Sequence, residues 1–402
     1  MAKTKIITGL DIGTAQIKIL IAGWEPREGK LELISKIEEG SGGIRRGTVV
    51  DVEKVSQKLR DLFLKIAQDS GQKINSVYVN VGGCHLFSTP SHGLVSVSRA
   101  DQKISEEDIQ RVLQAAQAIN LTSNKEIFDL LPREFIVDGE KGIKEPLGLQ
   151  GVRLEAEVLA LGGFSPYLKN LSQVVLSSDL EILDMVPSPM ATARAVLTER
   201  QKELGVGLLD IGAGTTGLAV FEEGDLIHLA IFPIGSANIT NDIAIGLKTD
   251  IDIAERVKIE YGSCLFKGKN IRQKIDIGED EPLIFSQKFL IKIIKDRVLE
   301  IFEEVNKELK EISKEKLLPA GIVLTGGGSK LPKIVQLAKQ KFHLPTRLGK
   351  PKGISGLGDD LSLSTASGLV LLGADLEGKE KTVEFGKGIG SKIKKIFKIF
   401  IP

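Results

Sequence analysis

Two stretches of the chain share one pattern of apolar and polar positions. Residues 5–22 read KIITGLDIGTAQIKILIA and residues 205–221 read GVGLLDIGAGTTGLAVF. Each runs apolar, breaks on Asp-Ile-Gly with small residues and Thr, and turns apolar again. Apolar runs around such a break predict a β-hairpin with a tip of Asp, Gly and Thr. The two tips lie half the chain apart, which predicts two related domains facing each other across a cleft. A third break, GIVLTGGGSKLPKI at 321–334, predicts a strand at 321–325, a glycine turn, and a helix capped by Ser329 that continues to about Lys341.

Elsewhere the period changes from two to between three and four. In SEEDIQRVLQAAQAI (105–119), Ile109, Val112, Leu113 and Ala116 fall on one helical face, and Ser105 with Asp108 supplies a capped start. Alternating strands surround this helix through residues 84–163. QKFLIKIIKDRVLEIFEEVNKELKEI (287–312) predicts a long amphipathic helix. The pattern is that of a mixed α/β protein.

Composition narrows the picture. The 402 residues suffice for two or three domains, and 54 basic against 53 acidic residues leave a net charge of +1. No global field favours a nucleic-acid partner. Cys84 and Cys264 stand in unrelated contexts, as expected of thiols in a reducing compartment, and the four histidines are scattered, which argues against a histidine metal site. Asp11 interrupts any signal-peptide core, and no apolar run reaches the ~18 residues of a membrane span.

The tips carry the chemistry. Gly13, Gly212 and Gly214 allow backbone N–H groups to close on phosphate oxygens, and Thr14, Thr215 and Thr216 add hydroxyl donors. Asp11 and Asp210, at the strand ends, are placed to hold Mg²⁺ through water. Lys18 is the one charge in the apolar run IKILIA; either it reaches into the cleft or that face is solvated.

Strand–DxGT–strand, a mid-chain helix, strand–DxGxGT–strand and a late strand–GGG–helix, in that order, resemble the actin, Hsp70 and sugar-kinase superfamily of ATP-binding proteins. Within it, SVYVNVGG (76–83), LLPREFIVDGEKGIKEPLGLQGVRLEAEV (130–158) and GSANITNDIAIGL (235–247) are similar to the FtsA family of bacterial cell-division actin homologues. The resemblance covers essentially the whole chain. It implies a two-lobed α/β actin-like ATPase fold, with a duplicated core domain, inserted subdomains and a C-terminal amphipathic helix. The implied division is a first core lobe at 1–83 and 164–197, interrupted by an interaction subdomain at 84–163. A second core lobe follows at 198–234 and 316–373, with its insertion at 235–315, then a linker at 374–387 and the helix at 388–402.

By position, the resemblance assigns Asp11, Gly13, Thr14, Lys18, Asp210, Gly212, Gly214, Thr215 and Thr216 to the phosphates and Mg²⁺ of ATP. It assigns Gly326, Gly327, Gly328 and Ser329 to the adenosine, flanked by Glu255 and Lys258 of the helix 251–263. Ser188 stands where relatives that hydrolyse ATP carry a Glu; a neutral hydroxyl is a poor base, so at most slow turnover is expected. The resemblance also implies a filament of like copies, an FtsZ C-terminal peptide on the second insertion with Arg297 as a contact, and other division proteins on 84–163. A sugar or small-molecule kinase and an actin-like pilus or secretion assembly protein share the hairpins and stand as the alternatives.

The tail, GIGSKIKKIFKIFIP (388–402), reads as a helix on its own residues. Ile389, Ile393, Ile396, Phe397 and Phe400 share one arc, with Lys394, Lys395 and Lys398 opposite, the pattern of a helix lying in an anionic membrane interface. One copy is expected to bind weakly and many linked copies stably. With the family resemblance, this tail implies a place at the cytoplasmic face of the inner membrane, at the division septum.

Overall fold

The computed structural model describes residues 4–276 and 282–380. Both hairpins form: strand Lys5–Ile12 pairs antiparallel with Gln16–Glu25, and Val206–Ile211 with Thr216–Glu222. Their tips close alike, Gly13 N–H donating to the Gln16 carbonyl at 3.0 Å and Gly212 N–H to the Thr215 carbonyl at 2.9 Å.

Each hairpin grows into a five-stranded sheet on one plan. The first sheet runs Glu181–Pro187, Ser76–Val81, Lys5–Ile12, Gln16–Glu25, Lys30–Gly40. The second runs Thr346–Leu348, Ile322–Thr325, Val206–Ile211, Thr216–Glu222, Asp225–Phe232. Three strands of each form an antiparallel meander and two add in parallel. Parallel neighbours need crossover connections, which helices such as Val52–Ser70, Ser165–Leu176 and Ile334–Phe342 supply. The strands are rich in Ile, Leu and Val because helices cover the sheets.

Two helices cross between the lobes. Ser188–Val196 follows directly from the strand Glu181–Pro187, and Ser364–Glu380 packs over Lys5–Ile12. At the crossing a Cβ on Gly368 would fall 1.7 Å from the Ala191 carbonyl oxygen, so only glycine fits. Arg194 clamps the crossing with two bonds to Asp375, at 2.7 and 3.0 Å.

The insertion after the strand Ser76–Val81 is a four-stranded sheet, ordered Phe87–Ser96, Arg153–Phe164, Lys125–Val137, Glu140–Ile143. Helix Glu106–Gln117 lies on it, with the expected Ser105–Asp108 capping box. Its Val112, Leu113 and Ala116 meet Phe135, Leu154 and Val158 in a separate core. Although it leaves and rejoins the first lobe, this subdomain also touches the second. Ser88 Oγ donates to the Leu229 carbonyl at 2.9 Å and accepts from Leu229 N–H at 3.0 Å. Lys144 Nζ reaches Asp225 at 2.5 Å while donating to the Arg133 carbonyl at 2.7 Å. The insertion of the second lobe packs helices Ser236–Leu247, Ile251–Tyr261 and Gln287–Glu311 around Val257, Leu290, Ile294 and Phe302.

Two expectations need correction. Residues 374–380, read as the start of a linker, continue the helix that begins at Ser364. Leu376 is buried and Gly378 lies against the Trp24 ring, so this turn has core to pack on. The glycine turn after Ile322–Thr325 does not cap a helix at Ser329. It is a 3₁₀ turn, Gly327–Lys330, and the helix begins only at Ile334, because Leu331, held before Pro332, is extended (φ −57°, ψ 127°) and Lys333 is left-handed (φ 64°). The rest of the linker and the tail, with Ile393, Lys394, Lys395, Ile396, Phe397, Lys398 and Phe400, lie outside the described residues. Among the described residues no helix is long and apolar enough to cross a membrane.

Candidate nucleotide site

The two hairpin tips, the glycine turn and the helix Ile251–Tyr261 surround one cleft of about 830 Å³. That falls within the roughly 300–1,000 Å³ of small-ligand sites. Asp11, Gly13, Thr14, Lys18, Asp210, Gly212, Thr215, Glu255, Lys258, Gly326, Gly327 and Gly328 all line it.

Asp11 and Asp210 occupy equivalent strand ends. Asp11 Oδ2 lies 3.5 Å from Lys18 Nζ, so the lysine reaches into the cleft rather than into solvent. Asp210 Oδ2 accepts from Thr192 at 2.8 Å and from Thr365 at 3.2 Å. Burial pushes both carboxyls above their ordinary range. Lys18 partly offsets this at Asp11, whereas the Asp210 charge adds to it. At Asp210 the Thr192 hydrogen bond and the Lys18 charge oppose the burial. Buried carboxylates that repel one another favour a bound cation, and the glycine-lined tips beside them suit anionic oxygens. The residues present therefore fit a Mg²⁺-bound phosphate chain.

On the far side Lys258, only 7 % exposed, pairs with Glu255 at 2.6 Å and donates to Thr240 at 2.7 Å. Gly326 has φ +83°, and a Cβ there would fall 2.3 Å from Asp210 Oδ1, so the glycine turn is pressed onto the aspartate.

Three expected residues do not line the cleft. Thr216 is fully buried and donates to the Ile234 carbonyl at 2.8 Å; strand alternation turns it away from the cleft that Thr215 faces. Ser329 is also buried and donates to the Thr325 carbonyl, bracing the turn from behind. Gly214 instead meets Thr14 of the opposite tip. Arg297 sits apart on the helix Gln287–Glu311, already paired with Asp242 at 2.6 and 2.9 Å and with Glu300 at 2.6 Å.

The sequence reading missed Asn80, Glu38, Lys330 and Asp360, which also line the cleft. Asn80 had a signal, as an amide side chain between Val79 and Val81 in the strand SVYVNV. Ser188 faces the cleft with its hydroxyl 3.2 Å from the Val81 carbonyl, to which it donates.

Known structures share this architecture. The PilM–PilN type IV pilus biogenesis complex aligns with a TM-score of 0.68 at 17 % identity, covering 92 % of this chain and 99 % of that one. MreB5 of Spiroplasma citri bound to ADP aligns at 0.57 and 15 %, covering 95 % and 99 %. With the paired hairpins, these likenesses define an actin-like, two-lobed fold. Sequence is more specific. The family model described as Cell division protein FtsA matches residues 207–368, and that of the SHS2 domain inserted in FTSA matches 83–161. Cell division protein FtsA of Pseudomonas aeruginosa is 38 % identical over 376 residues, spanning 92 % of this chain and 89 % of that protein. Its Escherichia coli counterpart is 31 % identical over 411, spanning 98 % and 96 %. The chain belongs to the FtsA family of cell-division proteins.

Proposed function

We propose that this chain is an ATP-binding, actin-like scaffold that polymerises and tethers FtsZ filaments to the inner face of the cytoplasmic membrane at the septum. The observation that carries the nucleotide reading is that Asp11 and Asp210, from equivalent strand ends of two lobes, line one cleft. Mg²⁺ held through these carboxylates would neutralise the phosphates, with Lys18 as a fixed cation beside them. Glu255, Lys258 and the turn Gly326–Gly328 would frame the adenosine. Turnover is slow at most, because Ser188 offers no carboxylate to activate water. FtsZ would dock its acidic–apolar C-terminal peptide on the second insertion. A carboxylate of that peptide would reach Arg297 by displacing the half-exposed Glu300. Other division proteins would bind the subdomain at 84–163. The tail 388–402 would lie in anionic lipid, its single-copy weakness offset by many copies along a filament.

Two experiments test this. Fluorescent ATP titrated with Mg²⁺ should bind the intact chain and fail to bind Asp210→Ala; equal binding to both would refute the cleft assignment. Anionic liposomes should co-sediment the full chain and not a version ending at Gly388, and equal pelleting would sink the tether. A kinase would instead consume ATP faster on addition of a small acceptor.

A further inference from the structure

We infer that Asn80 is a positioning residue of the cleft, fixing the carboxylate of Asp11 and holding the hydroxyl of Ser188 in a closed hydrogen-bond chain. Asn80 is 4 % exposed and lies on the strand Ser76–Val81, between the strand that carries Asp11 and the strand that runs into Ser188. Val186 is its register partner on one side, and the pairing of Leu10 with Val79 puts Asp11 beside it on the other.

Both amide protons and the amide oxygen are engaged. Nδ2 donates to Asp11 Oδ1 at 2.9 Å and to Ser188 Oγ at 3.0 Å, while Oδ1 accepts from Ile12 N–H at 2.7 Å. A flipped amide would set its oxygen against the Asp11 carboxylate and its NH₂ against the Ile12 N–H, so only one orientation satisfies the site. A carboxylate at this position would repel Asp11 at the same distance. Ser188, accepting from Asn80, donates its own hydroxyl to the Val81 carbonyl at 3.2 Å. Gly82 closes the arrangement, since a Cβ there would lie 2.9 Å from Ser188 Oγ. Asn80 thus ties three neighbouring strand ends together at the carboxylate that Lys18 Nζ approaches to 3.5 Å.

The inference rests on the reading that the cleft takes Mg·ATP, and the test separates the two. Fluorescent ATP affinity is measured with Mg²⁺ and in excess EDTA, for the unchanged chain, Asn80→Ala and Asn80→Asp. Amide exchange at Ile12 is followed in the nucleotide-free proteins. A positioning role predicts that Asn80→Ala loses about tenfold in affinity with Mg²⁺, the scale of one charge-assisted hydrogen bond, and less than about threefold in EDTA. Asn80→Asp should keep the slow Ile12 exchange that Asn80→Ala gives up, because its carboxylate still accepts from Ile12 N–H. Equal losses with and without Mg²⁺, or none, would overturn it, as would failure of both variants to fold. If the unchanged chain binds no ATP, the nucleotide reading itself fails and the inference falls with it.

Discussion

Thr14 at the first hairpin tip and Gly214 at the second are in contact across the lobes: a Cβ on Gly214 would fall 2.7 Å from Thr14 Oγ1. That hydroxyl also accepts from Gly47 N–H at 2.9 Å, so it has no slack. The tips of the two lobes therefore set each other's position.

Gly214→Ala should push Thr14 off its bond to Gly47 and widen the gap between tips. Overpacking of this kind costs roughly 1–3 kcal/mol. Calorimetry should record the lowered melting temperature, and ATP titration a weakened affinity beyond it. A variant with unchanged melting and affinity would show that the tips part freely.

Gly368→Ala is expected to be more severe. Its methyl would overlap the Ala191 carbonyl oxygen at 1.7 Å, where the helices Ser188–Val196 and Ser364–Glu380 cross. Both partners are helical backbone, so relief requires the helices to separate. Destabilisation of about 3 kcal/mol or more follows, read as early denaturant unfolding or loss of soluble protein.

A pH effect comes from the junction of the inserted subdomain with the first lobe. Burial, with a smaller contribution from the Asp184 charge, pushes the Asp129 carboxyl up to about 7. A carboxyl raised on folding means the folded state holds the proton more tightly than the unfolded chain. Its contribution is greatest below the unfolded value near 4 and is lost as pH climbs through about 7. Melting temperature should fall between about pH 4 and 7 and level off above that, and Asp129→Asn should flatten the slope. An equal slope in both proteins would remove Asp129 as its source.

The hairpins were legible because Asp, Gly and Thr bounded by Ile-Leu-Val runs leave few alternatives to a tight turn at a strand end. Ser105–Asp108 was legible for the same local reason. What escaped depended on tertiary partners. Thr216 looks like Thr215 in sequence, and only its place in the pleat sends it inward. The charged and glycine-bearing stretch 374–380 looks like a tether until Leu376 and Trp24 provide something to bury. Asn80 stood out in its strand, yet nothing local tells that two other strands bring Asp11 and Ser188 to its amide.

Ser88→Ala tests the contact between the inserted subdomain and the second lobe. Asp225–Phe232 is an edge strand, and Ser88 satisfies both backbone groups of Leu229. Losing that hydroxyl should cost about 1–2 kcal/mol and speed amide exchange at Leu229 by roughly tenfold. Lys144→Ala should cost less, about 0.5 kcal/mol, since the lysine is partly solvated. Unchanged exchange at Leu229 would mean the two surfaces merely abut.

The subdomain that Ser88 and Lys144 fasten joins the first lobe through its chain ends, reaches the second through these two side chains, and buries Leu131, Leu159 and Leu161 in a core shared with both lobes. Anything that grips it holds both halves of the molecule at once. If one spacing of the lobes suits that grip better than another, and the occupant of the cleft also favours one spacing, then by reciprocity each must alter the other's affinity by the same factor. Two partners that never meet would then negotiate through the width of a gap.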